Sequence, residues 1–176
     1  MGNHNSIFDY KDNFSIYSSV NTRVIKDSGI AGNTLMTIAI PTYDRTSTLK
    51  ESIDSALRQD VDFLYEILVL DNNPVRNDNT EKFINDNYRN NPKICYCKNE
   101  KNIGMTGNWN RMYEFSRSKW VVMLHDDDIL FPKCLKAIKR IIDNEKSVDA
   151  IFLTVTTDHA YLYRDSLEIK YSKKKV

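Results

Sequence analysis

Residues Trp120 to Leu130 read WVVMLHDDDIL, and no other stretch limits the folds open to this chain as strongly. Val121, Val122, Met123 and Leu124 are consecutive apolar residues, the pattern of a short strand buried on both faces, because a half-exposed strand alternates apolar with polar. The run stops at His125 and three acids, Asp126, Asp127 and Asp128. Adjacent carboxylates repel unless a cation or solvent relieves them, so something positive is expected beside them. A divalent metal meets that need, since Mg²⁺ and Mn²⁺ take hard oxygen ligands and keep positions open for water and phosphate oxygens. If the strand is parallel to its neighbours, its carboxyl end faces the crevice where open α/β sheets bind ligands. The same letters also suit a solvated turn that caps the next helix, so the rest of the chain has to decide.

The rest of the chain repeats the strand, polar loop, helix order. LMTIAI, from Leu35, is a buried strand ending at Pro41. A helix follows from about Thr48 to Gln59, with Leu49, Ile53, Ala56 and Leu57 in one stripe and Thr48 and Glu51 at capping-box spacing. YEILVL, Tyr65 to Leu70, is a second continuous apolar strand, stopped by the turn formers Asp71, Asn72, Asn73 and Pro74. Asp78 to Tyr88 reads as a helix with Asp78 and Glu81 spaced for a cap, and the alternation in Lys93 to Lys98 suggests a strand nearer the sheet edge. A helix is expected over Asn108 to Ser116, another from Pro132 to Asn144, and a last strand over Asp149 to Val155. Strands separated by helices of this length imply right-handed crossovers and a mostly parallel sheet, an α/β fold flanked by helices. The expected organisation is a poorly ordered extension over 1–34 with one short helix near Ser18 to Lys26, an α/β domain over 35–157, and a tail of unclear structure over 158–176.

In this order three polar loops, Pro41 to Ser47, Asp71 to Asn77 and His125 to Asp128, lie at the carboxyl ends of strands that can be neighbours. A nucleotide with a metal-bridged diphosphate would use such loops, with an aromatic for the base, acceptors for base and ribose, and a carboxylate for the metal. Neither GxGxxG nor GxxxxGK[ST] occurs, so a dinucleotide fold and a P-loop are not supported. The 176 residues are 41% apolar and 28% charged with a formal net charge of +1, which suits a globular domain and not a charge-driven nucleic-acid binder. Cys95, Cys97 and Cys134 lack zinc spacing and read as reduced thiols, and no apolar run is long enough to span a membrane, so a cytoplasmic protein is expected.

The order TIAIPTYDRTSTLKESIDSALRQ, YEILVLDNN, NIGMTGNWNR and WVVMLHDDDIL resembles family 2 glycosyltransferases of the GT-A fold, which transfer a sugar from a nucleotide-diphosphate donor. The resemblance covers about Met36 to Ile142. It implies that Pro41, Thr42 and Tyr43 line the base pocket, with the Tyr43 ring beside the base. Where the family usually shows two acids in the second loop, this chain has Asp71 and Asn72, and an amide can still hydrogen-bond a base edge. Asp127 matches the metal-binding acid, Asp128 a supporting acid, Asp126 the acid nearest the ribose, and Asn110 an Asn that supports the donor pocket. His125 stands where the family often has Asp, and Arg45 or Arg111 is a candidate for the diphosphate.

The resemblance further implies a divalent cofactor, Mn or Mg, a UDP-sugar donor, a glycan or lipid-linked acceptor, and work near the inner membrane face in polysaccharide or cell-surface glycan synthesis. In the family the general base lies well beyond the acidic motif, whereas this chain ends at Val176 with Asp158, Asp165 and Glu168 as stray acids, and no catalytic residue is identified. A GT-A domain incomplete at its C-terminus is therefore expected, the donor-binding half of a transferase. Its uncovered face would favour a homodimer. The alternatives are a noncatalytic nucleotide-sugar-binding module or inactive fragment, and a metal-dependent phosphoryl or nucleotidyl transferase using the same acids.

Overall fold

Each apolar run pairs with the next one that a helix brings alongside it. The computed structural model describes residues 13–153 apart from 31, 33 and 146. Along the chain come α1 (Asn13–Ile16), β1 (Thr22–Lys26), β2 (Met36–Thr42), α2 (Thr46–Leu57), β3 (Tyr65–Asp71), α3 (Asn79–Tyr88), β4 (Ile94–Asn99), α4 (Gly104–Phe115), β5 (Trp120–Met123) and α5 (Cys134–Asn144).

The five strands form one sheet in the order β1-β4-β3-β2-β5, parallel throughout except for β1, which runs antiparallel to β4. The chain adds β3 and β4 to one side of β2 and then returns to add β5 on the other. The sheet order therefore reverses between β2 and β5, which makes the crevice outside their carboxyl ends the favoured ligand site. The register sets what meets there. Thr42 lies opposite Asp71 across β2 and β3, while Ala39 lies opposite Met123 across β2 and β5. One further bond, from the Leu124 N–H to the Ala39 carbonyl at 3.0 Å, carries the chain on until Asp126 draws level with Thr42.

β2, β3 and β4 are buried along their whole length. One sheet face packs Ile38, Ile40, Ile67 and Val69 against Leu49 and Ile53 of α2, Ile84 of α3 and Leu135 and Ile138 of α5. The other packs Ala39, Leu68, Leu70, Cys95 and Cys97 against Met112 of α4. Burying each large aliphatic side chain stabilises the fold by roughly 1.5–3 kcal/mol, so the central strands anchor the loops they carry.

Several sequence expectations are corrected. Thr22–Lys26, expected within a helix, is the antiparallel edge strand, and β4, expected nearer the sheet edge, lies second from it beside β1. The preceding segment is docked on α4: the Arg111 guanidinium donates to the Tyr17 and Val20 carbonyls at 2.8 and 2.9 Å. At Gly107 an added Cβ would lie 2.9 Å from the Tyr17 ring, so a larger residue there would force the ring to shift. β5, expected to be buried on both faces, is only half-buried, because it is the outer strand of the described sheet. Residues 149–153 form no strand, since a strand needs a partner and Phe152 is left 95% exposed. The remaining two residues of that expected strand, and the tail, lie outside the described residues. α2 begins at Thr46 with Arg45 as N-cap and no side-chain cap, so the Thr48–Glu51 capping box does not form, whereas Asp78 does cap α3 by accepting from the Glu81 N–H at 2.9 Å. α4 starts at Gly104, four residues earlier than expected.

Candidate functional site

Three loops leave the carboxyl ends of β2, β3 and β5, and each is fastened by a different set of polar bonds. The acidic loop after β5 is held by one face of α2. Ser52 and Ser55 lie along that face and Gln59 just past the end of the helix, and all three are buried. The Ser52 hydroxyl donates to the Asp128 carbonyl at 2.7 Å, the Leu130 N–H donates to the Ser55 hydroxyl at 3.1 Å, and the Gln59 amide donates to the Phe131 carbonyl at 2.9 Å. Gln59 also accepts from the Leu135 N–H at 3.0 Å, at the start of α5. These bonds leave the loop little freedom, so the acids it carries are pre-positioned.

Asp126 is 7% exposed and accepts a hydrogen bond from the Thr42 hydroxyl at 2.8 Å. Burial pushes its carboxyl above the ordinary carboxylate value, against the opposing pull of Thr42 and Arg45. Asp127 is exposed, and the Arg45 guanidinium donates to it at 2.8 Å while standing 3.6 Å from Asp126. Asp44, just before Arg45, adopts φ 55°, a left-handed conformation that Asp tolerates better than most residues, and the turn it makes sets the start of α2 beside the acids. The acids thus hold a cation of the protein's own, which is the positive partner their mutual repulsion requires. Asp128 is half-buried, its N–H donating to the His125 carbonyl at 3.1 Å in a tight turn. The ring of His125 packs edge-on against Trp109 with centroids 5.4 Å apart.

The second loop turns its side chains inward. Asp71 is fully buried and accepts from the Lys98 ammonium at 2.7 Å, the Tyr96 hydroxyl at 2.8 Å and the Asn73 N–H at 2.8 Å. Lys98, itself 1% exposed, also donates to Asp78 at 2.6 Å. Asn72 uses its whole amide: the oxygen accepts from Asn99 and from the Ile103 N–H, and the nitrogen donates to the Asn102 side chain and the Gly104 carbonyl. The amide that braces this end of α4 is Asn108, bonded to the Leu70 carbonyl and to Asn99. Asn110, two residues on and half-buried, is not among its partners. Pro41 is buried in β2, and Tyr43 is 50% exposed at the crevice mouth.

The structure therefore brings together the side chains of Thr42, Arg45, Asp126 and Asp127, while those of Asp71 and Asn72 are spent on the bonds above and Asn72 reaches Thr42 through its backbone N–H, which donates to the Thr42 carbonyl at 3.0 Å. The Arg111 guanidinium is committed to the N-terminal segment and to Glu114 at 2.9 Å. Lys98 escaped the sequence reading although a signal existed. On a strand, Lys98 shares the face of Tyr96 and Ile94, so a buried β4 had to supply it with a buried partner.

Glu81 shapes the second loop from α3. It accepts two bonds from the Arg76 guanidinium, at 2.8 and 3.0 Å, and one from the Asn77 N–H at 2.9 Å. The Arg76 guanidinium holds its carboxyl below the usual range, against the effect of burial. A depressed folded pKa contributes stability that is present above the ordinary Glu value of about 4.3 and is lost as pH falls through the folded value. Glu81→Gln should accordingly cost about 1–2 kcal/mol at neutral pH, allowing for solvent around half-exposed Arg76, and should flatten the acid limb of a stability-against-pH profile measured by urea unfolding. An unchanged acid limb would count against this account.

Among the described residues a tighter gathering of metal-ligand side chains lies elsewhere, at Asp27, Glu66 and Cys95, but the Arg117 guanidinium already pairs with both of those carboxylates. The three cysteines are free thiols, and burial pushes that of Cys134 up to about 11. No helix among the described residues is long and apolar enough to cross a membrane.

A mostly parallel sheet with helices on both faces, acids at the end of β5 and a polar crevice beside β2 define a GT-A domain. The sequence model of glycosyl transferase family 2 matches residues 37–175, and the chain belongs to that family. It is 31% identical over 119 residues to an uncharacterized glycosyltransferase of Methanocaldococcus jannaschii, a match covering 67% of this chain and 40% of the relative. It is 29% identical over 130 residues to the chondroitin synthase of Pasteurella multocida, covering 74% of this chain and 13% of that one. Among solved structures, S. aureus TarS crystallised with UDP shares the fold at a TM-score of 0.55 and 21% identity, covering 69% of this chain and 38% of that chain. The chain thus spans well under half the length of these proteins.

Proposed function

We propose that this domain binds a nucleotide-diphosphate sugar, with UDP as the nucleotide, in the crevice between β2 and β5, and serves as the donor half of a glycosyltransferase. The observation that carries the reading is the pair Asp126 and Asp127, one buried and one exposed, holding a guanidinium where a divalent ion would sit. Carboxylates that already accept a cation fit Mn²⁺ or Mg²⁺, which are usually bound by one or two carboxylates with phosphate oxygens and water completing the shell. Asp127 is the principal ligand in this reading and Asp128 the supporting one, while Asp126, fixed by Thr42, faces the ribose. Pro41 and Thr42 form the floor of the base pocket and the Tyr43 ring covers it. Asp71 and Asn72 shape the opposite wall through the loop they anchor, and Asn110 lies behind it on α4.

The bound metal would neutralise charge on the leaving diphosphate. The chain's own residues hold the donor in place and keep the acidic loop from moving, and an acceptor hydroxyl of a glycan or lipid-linked sugar would attack the anomeric carbon. Support comes from the family membership, from the relatives named chondroitin synthase and hyaluronan synthase, and from TarS, whose crystals contain UDP in one case and UDP-GlcNAc in another. A homodimer and action at the inner membrane face belong to the same reading.

Calorimetric titration of UDP in the presence of Mn²⁺ tests it. Binding should appear with metal, vanish with chelator, and weaken at least tenfold, or about 1.4 kcal/mol, in Asp127→Ala. UDP affinity that ignores both metal and Asp127 would refute the assignment. Sugar transfer to an added acceptor separates a transferase from a binding module.

A further inference from the structure

The Arg45 guanidinium occupies the very oxygens a metal would need. Its nitrogen donates to Asp127 at 2.8 Å and stands 3.6 Å from Asp126. The bridge is open to water, with the Arg45 side chain 57% exposed and that of Asp127 51% exposed, so it can break without unfolding anything. The backbone beneath it is fixed, because Arg45 is the N-cap of α2 and its carbonyl accepts the first helical bond from the Leu49 N–H at 3.1 Å. The side chain can therefore swing while its root stays beside the acids. Two other arginines near the strand ends have no such freedom: Arg76 is bound by Glu81, and Arg111 by two carbonyls and Glu114.

We propose that Arg45 is an exchangeable counter-ion of the donor site, which releases Asp127 to a divalent ion and takes the diphosphate as its new partner. This rests on the donor-site reading above. A divalent ion and the guanidinium compete for the same carboxylate oxygen, so metal binding to the free protein must first break an ion pair. Once released, the guanidinium lies on the side of the crevice where the diphosphate would sit, and a planar fork of N–H donors matches phosphate oxygens well. Nucleotide consequently removes the competitor for Asp127 while metal supplies a free guanidinium, so each favours the other. Such coupling is reciprocal by necessity. Arg45 also keeps the acids compensated when the site is empty, which removes the repulsion between Asp126 and Asp127.

The test uses MnCl₂ alone, UDP alone and UDP with MnCl₂, titrated into the wild-type chain, Arg45→Ala and Asp127→Ala. The Arg45 side chain makes no helix-capping bond, so Arg45→Ala should keep the fold, as circular dichroism will report. Arg45→Ala is expected to bind Mn²⁺ alone at least fivefold more tightly than wild type and to bind UDP with Mn²⁺ about tenfold more weakly. The enhancement of each ligand by the other should shrink by a similar factor. If Arg45→Ala binds Mn²⁺ no more tightly than wild type while binding still depends on Asp127, the exchange role is wrong and the donor site stands. If Mn²⁺ binding does not depend on Asp127 in either protein, the donor-site reading falls and this inference with it.

Discussion

Lys98→Met is expected to destabilise the fold by about 3–5 kcal/mol, because it removes the positive partner of two carboxylates inside the protein. Lys98 is 1% exposed, its ammonium lies 2.7 Å from Asp71 and 2.6 Å from Asp78, and Asp71 is completely buried. A methionine fills nearly the same space, so packing changes little and the loss measures the stranded charge. In a domain of this size the corresponding fall in melting temperature is roughly 6–20 °C. The control is the double variant Lys98→Met with Asp71→Asn, which takes away both members of the buried pair and should recover a large part of the loss. The Asp71 backbone also ends β3 opposite Thr42, so the single variant should loosen the second loop and weaken nucleotide binding beyond what stability alone explains. Urea unfolding of the three proteins decides it. A loss below about 1 kcal/mol would mean that the pair is far better hydrated than its burial indicates.

Asn72→Asp should cost about 2–4 kcal/mol at neutral pH although it changes a single atom. The Asn72 nitrogen donates to the Asn102 oxygen at 2.8 Å and to the Gly104 carbonyl at 3.2 Å, and the side chain is 5% exposed. A carboxylate placed there would turn two donors into acceptors and point negative charge at two oxygens. Its folded pKa would be raised above the unfolded value of about 3.9, so the penalty applies above that pH and fades as pH falls and the carboxyl regains a proton to donate. The difference in stability between Asn72→Asp and wild type should therefore narrow in acid. A penalty that stays constant with pH would show that the cost is steric. The result bears on function, because the usual acid of the family is replaced here by an amide that ties β3 to α4.

Much of the architecture was readable from periodicity alone. The continuous apolar runs in β2 and β3, the stripe of Leu49, Ile53 and Ala56, and the alternation in β4 are local patterns, and burial of a strand or a helix face follows from its own residues. The placement of three polar loops at the carboxyl ends of the strands follows from the same order of elements. What the residues could not disclose is which side chains would meet. Thr22–Lys26 has no strong strand pattern of its own, and it becomes a strand because the edge of β4 offers it hydrogen bonds. The expected strand from Asp149 shows the converse, an apolar run whose described part finds no such edge.

The site divides in the same way. The three acids announced a need for positive charge, and that much is a property of adjacent carboxylates whatever the fold. That Arg45 supplies it, 82 positions away, and that Thr42 fixes Asp126 across 84, was decided only when β5 came to lie beside β2. Asp71 and Asn72 look like free loop acceptors in the sequence, yet the fold turns both inward because Lys98, Asn99 and Asn102 from the next strand and loop need them. Local patterning determines where an element runs and which face it buries. The pairing of charges and amides depends on distances between elements far apart in the chain, which no local period records and only the assembled sheet sets.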